Sequence, residues 1–269
     1  SQMTISWNSM ISLSYCSLSF AELYAAEGGD KYALWKRYCT YSGLPYLSML
    51  NDNAKRAEYL TSLNQTLYLR DIVERNRISN IQEFTELMNV MASGIGSPCN
   101  PNKIANTFKS NSKSNLDNKT IANYLSYMEE AFIIEKSVRY DIKGRKYIGT
   151  LSKYYFQDIG LRNALLHFRQ VEETHIMENI IYNELRSRGY SVDVGMVEVR
   201  TATERKQLEV DFVANKGDKR YYIQSAFALP DEEKREQELA SLKRINDSFK
   251  KVLIMRDDIP PYHDDNGVL

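Results

Sequence analysis

The sequence predicts an α/β chain, α+β overall, with helices filling its first half and an alternating arrangement closing its second. Apolar residues recur at three- and four-residue steps up to about residue 131, which is the period of a helix face. Two runs rich in β-branched and aromatic residues flank Lys143-Gly-Arg145 as a hairpin would. After Asp158 the order becomes α-β-β-β-α-β, which describes a sheet with helices packed on it. At 269 residues the chain exceeds the usual single-domain size, so two or three units are expected.

Taken in order, Ser19-Phe-Ala-Glu22 has the spacing of a capping box, in which a Ser and a Glu satisfy each other's backbone amides at a helix start. Gly28-Gly29 ends that helix, and Lys31 to Tyr41 resumes one with Leu34, Trp35 and Tyr38 on a single face. Asn53 to Asn76 reads as one long helix or two, through Tyr59, Leu60, Leu63, Leu67, Leu69, Ile72 and Val73. Ile81 to Ala92, Pro101 to Phe108 and Asn118 to Ala131 are three further helices, the second opened by a proline at its first turn. Strands at Phe132 to Tyr140 and Lys146 to Phe156 follow them, which is the winged-helix order. Then come helices at Gly160 to Phe168 and His175 to Arg188, and strands at Ser191 to Val197, Leu208 to Ala214 and Tyr221 to Ala226. A helix over Asp231 to Phe249, with Leu239, Leu242, Ile245 and Phe249 inward, and a strand at Lys251 to Met255 complete the chain. The domain boundaries expected from this pattern are 1–78, 79–158 and 159–269.

Lysine plus arginine balances aspartate plus glutamate at 35 each, so any basic surface is local. Between Asn100 and Lys153 there are 10 basic and 5 acidic residues. In a winged helix the third helix enters the major groove and the wing touches phosphate, so Lys119, Thr120, Asn123, Lys143, Arg145 and Lys146 are the expected DNA contacts. The acidic run from Asp231 to Glu238 suits a solvated helix start. No apolar run approaches the roughly 20 residues that span a bilayer, so no membrane partner is expected and the chain reads as cytoplasmic. It starts at Ser1 without an initiator methionine or a signal-like segment, as a fragment does. Cys16, Cys39 and Cys99 are odd in number and widely spaced, which describes thiols instead of a disulfide framework or zinc site. A phosphate-binding loop is missing: Gly144-Arg-Lys-Tyr-Ile-Gly149-Thr150-Leu151 lacks its lysine and lies in the hairpin.

The acidic candidates are Glu178, on the helix before Gly189, and Asp211, on the strand Glu209-Val-Asp-Phe-Val213, with Gln224 on the next strand. Two acids at one sheet edge can hold Mg²⁺, which takes oxygen ligands, and a nearby lysine can orient the attacking water. The third strand would carry that lysine two residues after Gln224, where this chain has Ala226. Glu209 reads as a surface partner of Arg205 or Lys206.

With these residues in view, the chain resembles the C-terminal region of a bacterial and archaeal family of AAA-type ATPases that end in a PD-(D/E)XK, restriction-endonuclease-like domain of unknown function. The resemblance rests on Leu18-Ser-Phe-Ala-Glu22, Tyr41-Ser-Gly-Leu-Pro-Tyr46, Tyr68-Leu-Arg-Asp-Ile-Val-Glu-Arg75, Pro101-Asn-Lys-Ile-Ala-Asn106, Tyr140-Asp-Ile-Lys-Gly-Arg-Lys-Tyr147, Asp158-Ile-Gly-Leu-Arg-Asn163, Glu178-Asn-Ile-Ile-Tyr182 and Glu209-Val-Asp-Phe212. It implies that residues 1–78 end an ATPase core and its helical lid, and that ATP binds only in a longer member carrying that core. It also implies that Glu178 and Asp211 are metal-ligand positions and Gln224 a degenerate catalytic one. Three readings stay open: a DNA-associated accessory region with a degenerate nuclease-like domain, an active Mg²⁺-dependent nuclease, or a module for partner or homo-oligomer contacts without nucleic acid.

Overall fold

The computed structural model describes residues 17–111, 116–169, 172–200, 205–257, 260–264 and 267–269. Cys16, Lys113 and the side chains of Leu67 and Arg205, all used in the sequence reading, lie outside that description. The chain is mixed α/β and divides into two compact units, one of residues 1–71 with 158–171 and the other of residues 72–157 with 172–269.

The first unit is helical. Helix α1 (Phe20–Glu27) starts as expected, with Ser19 accepting from the Glu22 amide and Glu22 accepting from the Ser19 amide. Helices α2 (Lys31–Tyr41), α3 (Pro45–Ser48) and α4 (Asn53–Leu63) follow, and a π-helical segment, Asn64–Leu69, carries α4 on into α5 (Arg70–Asn76). Helix α9 (Ile159–Leu165) belongs to the same unit, capped by Asp158 accepting from the Leu161 amide at 2.8 Å. Leu47, Leu60, Leu161 and Ala164 form its core, and Asn163 ties α9 to α2 by donating to the Cys39 and Thr40 carbonyls, both at 2.9 Å.

The second unit takes α5 from Ile72 onward and then α6 (Ile81–Ser93), α7 (Pro101–Asn111) and α8 (Asn118–Glu130), packed through Phe84, Leu87, Met88, Ala105, Phe108, Ile121, Leu125 and Met128. Phe84 meets Tyr124 edge-to-face at 5.2 Å, which sets α6 against α8. Strands β1 (Ile134–Asp141) and β2 (Lys146–Phe156) form the expected hairpin. That hairpin does not stand apart as a wing. Strand β1 pairs in parallel with β3 (Ser191–Arg200), and with β4 (Arg205–Lys216), β5 (Lys219–Ala226) and β6 (Lys250–Met255) the result is one six-stranded mixed sheet of order β2-β1-β3-β4-β5-β6.

Two cores sandwich the sheet. Helix α10 (Glu173–Ser187) covers one face, packing its Tyr182 with Tyr155, Val192, Phe212, Ala214 and Ile223 of the sheet. The other face packs Val197, Val210, Val213 and Tyr222 against Leu239, Leu242 and Ile245. The long helix expected over Asp231 to Phe249 is instead α11 (Glu232–Leu239) and a 3₁₀ turn at Leu242–Arg244, and Phe249 stays 39% exposed. Polar residues at 246–248 compete for backbone bonds: Asp247 Oδ1 accepts from the Phe249 amide at 3.1 Å, and Tyr222 donates to Asp247 Oδ2 at 2.6 Å. Leu239, Leu242 and Ile245 point inward as expected, but across a break.

Gly195 sits at a tightly packed point of the sheet. A Cβ there would come within 2.9 Å of Ile142 Cδ1, Val210 Cβ and Val213 Cγ2. Gly195→Ala is therefore expected to lower stability by about 1–3 kcal/mol in urea titration, the usual penalty of overpacking; a change below about 0.5 kcal/mol would contradict this packing.

Candidate functional site

On β2, Lys153 and Tyr155 are two residues apart and project from one face, the face that α10 covers. Strand β4 brings Glu209 and Asp211 to the same place, helped by a bulge. The β3–β4 ladder passes from Asp193↔Val213 to Gly195↔Val210, so two β4 residues, Asp211 and Phe212, oppose Val194 alone. A larger irregularity lies in β2, where the ladder skips from Ser137↔Lys153 to Arg139↔Ile148. Leu151, inside that skip, has φ +56°, an uncommon conformation for a residue with a Cβ. The two bulges re-aim the acids of β4 and the lysine of β2 onto one point.

At that point Lys153 Nζ donates to Glu178 Oε1 at 2.9 Å and pairs with Glu209 Oε1 at 2.7 Å. Tyr155 donates to the same Glu178 oxygen at 2.8 Å, while its ring stacks on Tyr182 with centroids 4.1 Å apart. Arg139 lies 3.4 Å from Glu209 Oε2. Asp211 Oδ2 accepts from both the amide and the hydroxyl of Ser225, each at 2.8 Å. The side chains of Lys153 and Glu178 are 4% and 9% exposed, whereas Glu209 is 29% exposed and forms the opening to solvent.

Burial opposes the charge on Lys153, yet Glu178, Glu209 and Asp211 outweigh it and hold the ammonium above its ordinary value. Burial and then Glu178 raise the Tyr155 hydroxyl well above its ordinary value, so it acts as a donor. Burial, then the neighbouring Glu178 charge, push Asp211 up to about 7, against the lowering effect of Lys153 and Ser225. Three acids thus share Lys153 and Arg139, and burial beside Glu178 disfavours the charged form of Asp211.

The metal candidates Glu178 and Asp211 are brought together, but Gln224 is not. Its Nε2 donates to Glu238 of α11 at 3.4 Å, across the sheet from α10, and its Oε1 accepts the Asp211 amide at 3.4 Å. Alternation along β5 turns Ser225 toward the acids and Gln224 and Ala226 away, so alanine at 226 leaves no gap in this cluster. Lys153, Tyr155 and Ser225 are members that sequence reasoning missed. Glu209 pairs with Lys153 and Arg139 and not with the expected Lys206, and the expected Arg205 has its side chain outside the described residues.

Among the described residues no three His, Cys, Asp or Glu side chains form a ready metal-binding group. Mg²⁺ commonly takes one or two carboxylates with water and phosphate completing its shell. Glu178 and Asp211 fit that mode: each has one oxygen engaged by donors and a second, Oε2 or Oδ1, that takes no hydrogen bond from a described residue. Gly96, at φ +74°, closes the Glu178 side; a Cβ there would lie 3.2 Å from Glu178 Oε2 and 2.8 Å from His175 Nδ1.

The expected DNA contacts fall on two elements of the second unit. Lys119 and Asn123 are exposed on α8, and Thr120 serves its start, its amide donating to Asp117 at 2.7 Å. Lys143, Arg145 and Lys146 are exposed at the hairpin tip, with Lys143 Nζ donating to the Glu198 carbonyl at 3.1 Å.

This chain belongs to the family described as Domain of unknown function (DUF8612), which matches residues 32–172. Lys153 and Tyr155 lie inside that span; Glu178, Glu209 and Asp211 lie beyond it. An uncharacterized protein of Haemophilus influenzae is 33% identical over 242 residues, 88% of this chain and 57% of that protein. Uncharacterized protein MJ1544 of Methanocaldococcus jannaschii is 30% identical over 211 residues, 78% of this chain and 45% of that protein. The chain therefore spans about half the length of these curated relatives. The crystal structure of protein VC1899 from Vibrio cholerae aligns at 17% identity and a TM-score of 0.26, covering 66% of this chain and 47% of that one. These matches correct the resemblance to an AAA-type ATPase family. The family they give has no described activity and both relatives are uncharacterized, so residues 1–78 are no longer read as the end of an ATPase with its lid, nor ATP as the cofactor of a longer member.

A raised carboxylate contributes stability that is fully present below its unfolded value and is lost as pH rises through its folded value. For Asp211 that window runs from about 4 to about 7. Asp211→Asn, whose amide oxygen can still accept from Ser225, should be more stable than the parent protein at pH 8 by a few kcal/mol, with the gain gone near pH 4. Equal melting differences at both pH values would refute a charged Asp211 buried beside Glu178.

Proposed function

We propose that this chain acts on DNA through metal-assisted phosphodiester hydrolysis, at a site of the PD-(D/E)XK kind in the second unit. The three helices and hairpin, in winged-helix order, engage the duplex. One observation carries the reading: an acid from a helix, Glu178, and an acid from a bulged strand, Asp211, share one buried cluster around Lys153. A Mg²⁺ bound there supplies charge stabilisation on the phosphate and an activated water.

Glu178 and Asp211 are the residues that would hold the ion. Tyr155 and Ser225 fix one oxygen of each acid, so neither carboxylate reorients when substrate arrives. Lys153, held charged, is not a proton acceptor. Lys119, Asn123, Lys143, Arg145 and Lys146 meet phosphates, which supports affinity without sequence choice. Burial strengthens the electrostatic interactions among Lys153, Glu178 and Asp211.

Supercoiled plasmid incubated with the protein and Mg²⁺ or Mn²⁺ should be nicked or linearised, and Asp211→Ala should slow this by about 100-fold or more. Absence of cleavage, or equal cleavage by the variant, rejects hydrolysis. Duplex binding tests the rest. Changing Lys143, Arg145 and Lys146 together should weaken it and lower its salt dependence by roughly 2–3 in the log–log slope. Binding without cleavage would support a degenerate DNA-associated module, and binding undetectable at low salt would leave only a protein-contact or self-association role.

A further inference from the structure

We infer that Lys153, delivered by β2, is a positioning residue for the divalent cation; the inference rests on the metal reading of Glu178 and Asp211. An ammonium has three N–H donors. Two of Lys153's go to Glu178 Oε1 and Glu209 Oε1, at 2.9 and 2.7 Å, and Tyr155 adds a second donor to the same Glu178 oxygen. Glu178 is thereby gripped by one oxygen only. Its other oxygen, Oε2, is turned toward Gly96, where a side chain would crowd it. A carboxylate held this way presents a fixed lone pair to a cation, and loses that presentation when the grip is removed.

The backbone is arranged to deliver this lysine. Residues 149–152 are looped out of the β1–β2 ladder immediately before Lys153, and the loop is anchored by a bridge between Ser152 and Cys99. On β5 the site-facing side chain near Asp211 is Ser225, while Ala226 is buried on the other face. Position 226 is therefore the wrong place to look for the cation in this chain. Glu209, at the solvent edge, balances the second N–H of Lys153 without being gripped by Tyr155, so it serves the lysine and not the ion.

Mn²⁺ binding, by calorimetry or by loss of the free-ion spin resonance signal, tests this on the full chain without requiring turnover. Lys153→Met alone leaves the buried Glu178 and the partly exposed Glu209 without their cation, so the informative variant is Lys153→Met with Glu209→Gln, which preserves the net charge of the cluster. With its melting temperature checked against the parent protein, it should bind Mn²⁺ at least tenfold more weakly than Glu209→Gln alone, and Lys153→Arg should recover most of the affinity. Equal affinity of the double and single variants overturns the role of Lys153 while leaving the metal site standing. Parent protein that binds no Mn²⁺ overturns the metal site and the positioning role together.

Discussion

One buried ammonium joins three parts of the second unit. Lys153 comes from an outer strand, Glu178 from the helix above the sheet, and Glu209 from a strand in its middle, and the three meet within hydrogen-bond distance. Taking an ion pair out of water is costly, and the attraction inside repays this only when the remaining donors and acceptors are satisfied. Here they nearly are, through Tyr155, Arg139 and Ser225. Removing one partner of such a pair costs about 3–5 kcal/mol, far more than a surface ion pair contributes. Well-packed apolar residues of similar volume would fill the same space at no greater cost.

The surroundings serve that cluster. Both bulges lie beside it, and each changes which residues share a face, which regular pleating would not allow. The β4–β5 ladder runs only as far as Phe212↔Ile223, and beyond it the Asp211 carboxylate caps the Ser225 amide that would otherwise lack a strand partner. Asp211 therefore has a structural duty and a chemical opportunity at once. Its Oδ2 does the first, and Oδ1 is available for the second.

Much of the frame was legible. The capping box at Ser19 and Glu22, the proline-led start of α7, and the bounds of β2 at Lys146 and Phe156 all follow from local chemistry. Glu178 and Asp211 could be picked out because one stands on a strongly amphipathic helix and the other in an alternating strand. Lys153 could not, since in sequence it was one more base in a cationic hairpin, and only the fold reveals that it is 4% exposed and paired with acids 25 and 56 residues away. Gln224 misled for a related reason: which β5 positions face α10 depends on register across β4 and β6, which no periodicity within β5 encodes. The resemblance to an ATPase family failed at the level of family, because shared blocks identify kinship and the kin have no described activity.

Glu178 and Asp211 are proposed to form a cation site gripped from one side by Lys153. Crystals grown with Mn²⁺ and measured on either side of its absorption edge locate such an ion without any assumption about substrate. The account predicts an anomalous peak within coordination distance of Glu178 Oε2 and Asp211 Oδ1, with Lys153 still on Glu178 Oε1. No peak there, or a peak held by other residues while the acids stay paired as they are, would contradict it.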